Sequence, residues 1–421
     1  MLQTLKNAWK IPDLRKKILY TLGMLLLYRL LCFVPTPGIN TASLATAIQN
    51  SSMLSYIESM TGSNLSQFTI MAMGITPYIN SSIIMQLLCV AIPKLEELNK
   101  SGEEGRKKIA QITRYVTVGL GFVQAVALTY SLQAYAQKTF LNIVTIGFCL
   151  AAGTALAMWI GERITENGIG NGVSLLIFAG IISRFASSIA SGAADLFTSI
   201  FNGSFRGVPG TLAVLVISLA MIVGVVLVDL AERRIPVQYA KRMVGRKMYG
   251  GQSTHIPLKL NASGVLPLIF ASAIMQFPET ILGFFWSSGK DWWSKNLGNT
   301  TWWYIAINAL LILGFTFFYS SITFNPKEMA ENIQNNGGLI PGIRQGKMTV
   351  DYITKINSRI TLFGAIFLAV LALLPSIVYK VAGVSLSFAG SSLLIAVSVA
   401  VETARTLESQ MLMRHYKGFL K

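Results

Sequence analysis

FLNIVTIGFCLAAGTALAMWI, from Phe140 to Ile160, carries no charged side chain over a run that a helix would stretch to about 30 Å. A bilayer's hydrocarbon core has that thickness and takes about 20 apolar residues to cross. The rest of the chain reads the same way. Of its 421 residues, 52% are hydrophobic and only 13% are charged, whereas soluble domains carry about 25% charge. Mean hydropathy is +0.55. This composition excludes a soluble enzyme, a DNA-binding protein and a disordered tail. Outward from Phe140–Ile160 lie nine further apolar runs: Ile18–Val34, Phe68–Ile92, Val116–Ala134, Val173–Ala190, Thr211–Val228, Ala262–Phe285, Tyr304–Thr323, Ile360–Val378 and Leu393–Met411. The expected architecture is an all-α, polytopic membrane protein with ten transmembrane helices. No small-residue cleavage site follows the first run, so no cleavable signal is expected.

Charge sets the direction. The chain has 35 Lys+Arg against 18 Asp+Glu, a net +17. With Lys6, Lys10, Arg15, Lys16 and Lys17 in the cytoplasm, 28 of the 35 basic residues fall in cytoplasmic segments or, as Arg405 does, toward the cytoplasmic end of a span. Five (Lys138, Arg206, Lys290, Lys295 and Lys380) fall outside. The positive-inside rule therefore places both termini in the cytoplasm, which requires an even number of spans. Arg29 and Arg184 lie inside spans, toward the outer ends, where snorkelling is expected. The chain midpoint falls in the outer loop 191–210, with five spans on each side. Halves 1–205 and 206–421 would then insert upside down relative to one another, an arrangement that places a site or pore at their interface.

Two spans are polar for lipid. The second carries Gly74, Thr76, Pro77, Asn80, Ser81, Ser82 and Gln86. The seventh carries Asn261, Ser263, Gly264, Pro267, Ser272, Gln276 and Pro278. Such groups either bridge helices or line a polar path. The outer loop from Pro35 to Gln67 suits a short half-inserted helix or a plain loop. The cytoplasmic loops at about 229–260 and 325–358 are long and basic, which suits a docking surface as well as topology. Catalytic chemistry is mostly absent. Two histidines and three dispersed cysteines suggest no metal site, disulfide framework or bound cofactor. Gly289-Lys290-Asp291 and Gly346-Lys347-Met348 do not complete a nucleotide loop. A secondary transporter with inverted repeats is the alternative, although no span supplies ionisable residues near its centre.

Two stretches carry a family resemblance. Gly74-Ile75-Thr76-Pro77-Tyr78-Ile79-Asn80-Ser81-Ser82-Ile83-Ile84-Met85-Gln86 resembles the first signature of the SecY family of protein-conducting channels. Trp159-Ile160-Gly161-Glu162-Arg163-Ile164-Thr165-Glu166-Asn167-Gly168-Ile169-Gly170-Asn171-Gly172 resembles the second. Tyr239-Ala240-Lys241-Arg242, Phe324-Asn325-Pro326-Lys327-Glu328 and Pro341-Gly342-Ile343-Arg344 are further matches.

The resemblance implies two five-span halves around a central hourglass pore in the bacterial plasma membrane. It implies a channel, not an enzyme, that passes unfolded preproteins and releases transmembrane segments into lipid through a lateral gate. By motif, the pore ring falls on Ile79, Ile83, Ile177, Ile181, Ile269 and Ile395. Branched aliphatic side chains suit a constriction that closes by dewetting. The plug falls on Ser55-Tyr56-Ile57-Glu58-Ser59-Met60-Thr61-Gly62-Ser63-Asn64-Leu65-Ser66-Gln67. Tyr56, Glu58 and Met60 depart there from a small, Gly-rich plug. Gln86 and Gln124 are lateral-gate candidates, and Arg242, Arg246 and Arg344 are candidates for binding the SecA ATPase or the ribosome. SecE, SecG, signal sequences, preproteins and anionic lipids complete the implied partners, with no specific DNA among them.

Overall fold

A computed structural model describes residues 8–37, 68–131, 140–183, 208–239, 242–244, 247–249, 253–261, 264–285, 292–293, 296–298, 301–382 and 390–417. In chain order the elements are helices α1 (Pro12–Leu31), α2 (Thr76–Ala91), α3 (Pro93–Lys100), α4 (Glu103–Ser131), α5 (Phe140–Asn167), α6 (Gly172–Ser183) and α7 (Val208–Leu230), then strands β1 (Glu232–Tyr239), β2 (Arg242–Val244), β3 (Lys247–Tyr249) and β4 (Ser253–Lys259). Helices α8 (Leu266–Phe285), α9 (Trp302–Thr323) and α10 (Pro326–Asn335), strand β5 (Gly338–Leu339), and helices α11 (Lys347–Ala382) and α12 (Gly390–Lys417) follow. Packing separates two units. One comprises Met1–Thr211, Gln276–Asn299 and Leu386–Lys421, and the other Leu212–Met275 and Thr300–Ser385.

Each expected apolar run contains a helix among the described residues. Four helical stretches there are long and apolar enough to cross a membrane: Glu103–Tyr130, Leu141–Asn167, Trp302–Asn335 and Lys347–Val378. Helices α2 and α3 form a fifth if taken together, bent by 102° at Ile92–Pro93. The bend follows from Pro93, which disfavours helical backbone at the residue before it. The sequence of α1 is interrupted by Arg15, Lys16, Lys17 and Arg29, yet Leu19, Leu22, Leu26 and Leu30 form an exposed stripe along it. Val216, Leu219, Val223 and Leu227 do the same on α7. Apolar faces of this extent are at home in lipid.

The second expected span departs from a straight helix. Residues 68–75 are irregular and mostly buried, and α2 starts only at Thr76. Gly74 has φ +52° and Phe68 φ +43°, left-handed values that no helix continues through, and Pro77 fits only the first turn. Thr36 N donates to Phe68 O (3.0 Å) and Ile70 N to Val34 O (3.0 Å). The Ile70 carbonyl lies against the backbone of α5, where a Cβ on Gly153 would come within 2.0 Å of it.

The glycine run of the second signature is the turn into α6. Asn171 Oδ1 accepts from Val173 N (3.0 Å) and Ser174 N (3.3 Å), capping the helix. A Cβ on Gly172 would stand 2.0 Å from Gly161 O, and one on Gly168 would stand 2.5 Å from Thr21 Oγ1. Thr21 Oγ1 also accepts from Ile169 N (3.2 Å). Leu14, Ile169 and Leu407 then pack in one buried cluster, which ties α1 and α12 to this turn. Arg29 finds a partner inside the protein. Its guanidinium donates to the Ala179 carbonyl of α6, so a backbone group within the protein satisfies it.

The second unit adds a small sheet to a mostly helical chain. The two large loops are not free. β1 and β4 form an antiparallel pair from Glu232↔Lys259 to Gln238↔Ser253, and β5 adds to β1 through Gln238↔Leu339 and Tyr239↔Gly338. Ile235, Val237 and Leu258 face Ala330 and Ile333 of α10, Ile340, and Ile353 of α11 in one core. Asn325 caps α10 by accepting from Glu328 N (3.4 Å). Helices α9 and α11 are joined by Ser320 Oγ and Thr361 Oγ1 (2.9 Å), with Asn357 Nδ2 donating to Ser320 Oγ (3.1 Å).

Candidate functional site

The six ring candidates are all buried, between 2% and 8% exposed. Ile79 and Ile83 lie one turn apart on α2, and Ile177 and Ile181 one turn apart on α6, so each pair shares a helical face. Ile395 is on α12 and Ile269 on α8. Ile269 belongs to the second unit and the other five to the first. Buried polar groups on two of these helices are satisfied locally. Ser81 Oγ donates to Pro77 O (2.8 Å) and Ser272 Oγ to Leu268 O (2.7 Å). These two hydroxyls neither bridge helices nor leave an open bond.

Of the gate candidates, Gln86 is exposed on α2 and Gln124 half-buried on α4. The plug candidates, Ser55 to Gln67, lie outside the described residues. So does Arg246, and for Arg242 only the backbone, in β2, is described. Arg344 is exposed in the turn between β5 and α11. Gly342 and Gly346 flank it with φ +82° and +90°. Thr349 Oγ1 donates to the Arg344 carbonyl (2.9 Å) and Gln345 Nε2 to Gly338 O (3.0 Å). The turn therefore presents its arginine from a hydrogen-bonded frame.

A family model described as SecY matches residues 69–404. The chain is 43% identical to the protein translocase subunit SecY of Halalkalibacterium halodurans, with all of both chains covered. The chain belongs to the SecY family. The SecY translocase subunit of Bacillus subtilis is 42% identical, again over the full length of both. The SecY-family fold is also found in solved structures. One of a protein-conducting channel is similar with a TM-score of 0.66 at 17% identity, over 94% of this chain and 92% of that one. Sec61 in a canine ribosome-channel complex is similar with a TM-score of 0.64 at 15% identity, over the same shares. The transporter alternative finds no support among these relatives.

Beyond the site candidates named above, the structure of this SecY-family chain adds a pair that sequence spacing did not reveal. Arg114 of α4 and Glu162 of α5 meet at 2.6 Å. They are 48 residues apart, so no local spacing rule joins them. Among the described residues, no group of three or more His, Cys, Asp or Glu is placed to hold a metal.

Proposed function

We propose that this chain is the channel-forming subunit of a bacterial Sec translocase, passing unfolded preproteins across the plasma membrane and releasing transmembrane segments sideways into lipid. The full-length identity to SecY translocase subunits carries this reading. Ten spans in inverted halves, 1–205 and 206–421, surround an hourglass pore. Ile79, Ile83, Ile177, Ile181, Ile269 and Ile395 form its constriction, and residues 55–67 form the plug. Branched aliphatic side chains at all six positions suit a constriction that closes by dewetting. Gln86 and Gln124 lie at the lateral gate. SecE and SecG accompany the chain, and anionic lipid surrounds it. The motor is SecA or the ribosome, docking on Arg242, Arg246 and Arg344, because the chain itself shows no nucleotide-binding motif.

Proteoliposomes carrying the full chain with its accessory subunits test the reading. With SecA and ATP they should protect an unfolded preprotein from added protease. Single cysteines in loops 229–260 and 325–358 should label only from the SecA side. Small-solute uptake without preprotein protection, or labelling from the opposite side, would overturn the reading.

A further inference from the structure

Glu162 is the one acid within the second signature that reaches another helix, and nothing above gives it a role. Arg114 Nε donates to Glu162 Oε1 at 2.6 Å, joining α4 to α5. The ion pairs Lys100–Glu96, Lys107–Glu103, Lys108–Glu104, Arg163–Glu166 and Arg234–Glu232 each join residues within four positions and stiffen only their own element. The Arg114–Glu162 pair instead fixes two antiparallel helices relative to one another. Glu162 is a quarter exposed and Arg114 nearly half exposed (25% and 46% of the side chain), so the pair matters for the two helices it joins and not for any burial of its charges.

The groove this pair fastens holds the first turn of α2. The phenol of Tyr78 lies within electrostatic reach of both Glu162 and Arg114. Pro77 rests on Gly121 of α4, where a Cβ would stand 3.6 Å from the proline ring, beside Thr154 of α5 at 3.9 Å. Just ahead of that turn, the Ile70 carbonyl is seated on Gly153 of α5. The next residue after Tyr78 is Ile79, the first ring candidate, with Ile83 one turn further on.

We propose that the Arg114–Glu162 ion pair is a positioning device for the pore ring: by clamping α4 to α5 it sets the seat of α2, and with it the closed position of Ile79 and Ile83. This rests on the channel reading above. The pair touches no substrate and acts only through α2. Its loss lets the groove widen and the constriction admit water.

The test is basal ion current per channel, measured in planar bilayers on the full chain with its accessory subunits. Glu162→Gln should raise the current about tenfold and admit preproteins with defective signal sequences. The exchanged pair, Arg114→Glu with Glu162→Arg, should return within about twofold of the parent, as coupled residues do. Glu162→Asp keeps the charge, and so guards against loss of the fold, but withdraws the carboxylate by one methylene. It should leak several-fold. A pair that merely held the fold together would lower the melting temperature and leave current per channel at the parent level, and that result overturns the proposal. So does an exchanged pair as leaky as Glu162→Gln. Ile79→Asn, run in parallel, separates the failures. If it leaks while the Glu162 variants do not, the clamp is wrong and the channel stands. If neither leaks, the placing of Ile79 in the ring, on which the clamp rests, fails.

Discussion

Arg344→Glu should insert normally and yet lose SecA-driven translocation by about 30-fold or more. Charge-assisted hydrogen bonds from a guanidinium to a partner's carboxylate are bidentate and strong, and breaking a buried pair of this kind across an interface costs about 2–5 kcal/mol. At about 1.4 kcal/mol per factor of ten, the lower end already gives the stated loss. Reversal of the charge adds repulsion. Topology should survive, because 27 of the 28 basic residues that the positive-inside rule assigns to the cytoplasmic side remain. The frame around the residue favours this outcome: Gly342 and Gly346 set the turn, and Thr349 holds the Arg344 carbonyl rather than its side chain. The substitution therefore alters what the turn presents and leaves its backbone in place. ATP-dependent translocation at the parent rate by a correctly inserted Arg344→Glu channel would reduce this arginine to one more topological charge.

Replacing both Ile79 and Ile395 with Asn should raise basal ion leak about tenfold or more and relax the demand for a functional signal sequence. Both side chains are buried, at 8% and 2% exposure. An amide buried there without partners costs about 1–3 kcal/mol, and admitting water relieves that cost. The resting state loses what the open state does not. Conductance and signal stringency matching the parent in the double variant would remove both residues from the ring.

Much of this architecture was legible in the sequence because lipid imposes a simple demand on it. The expected run Tyr304–Thr323 became Trp302–Thr323, and Thr211–Val228 became Val208–Leu230. Misses arose where something other than hydropathy decides. Helix α4 starts 13 residues before its apolar run because Glu103–Lys107 and Glu104–Lys108 pairs support a polar continuation. Helix α2 starts late because Gly74 and Pro77 stop the backbone, and because Ile70 needs a glycine that lies 83 positions away in the chain, at Gly153. The sheet was hidden by charge. Ile235, Val237 and Tyr239 do alternate, but Pro236 argues against an interior strand. The structure resolves that conflict: β5 pairs only with Gln238 and Tyr239, so no strand asks Pro236 for its missing N–H on that side. The six ring candidates look like ordinary core isoleucines, and only the family motif distinguishes them. The Arg114–Glu162 pair is a long-range contact that no spacing reveals.

The small sheet has a mechanical consequence. Because β5 is bonded to β1, the two long loops are tied together at that point, and the turn bearing Arg344 is a braced handle. That handle leads directly into α11, whose 28 residues ahead of Pro375 span about 42 Å at 1.5 Å per residue. On the other side, β4 ends at Lys259, seven positions before α8 begins. A tug or twist delivered at the turn is thus not absorbed as loop motion. It passes as leverage into one long rod and, through the sheet, toward the base of a second.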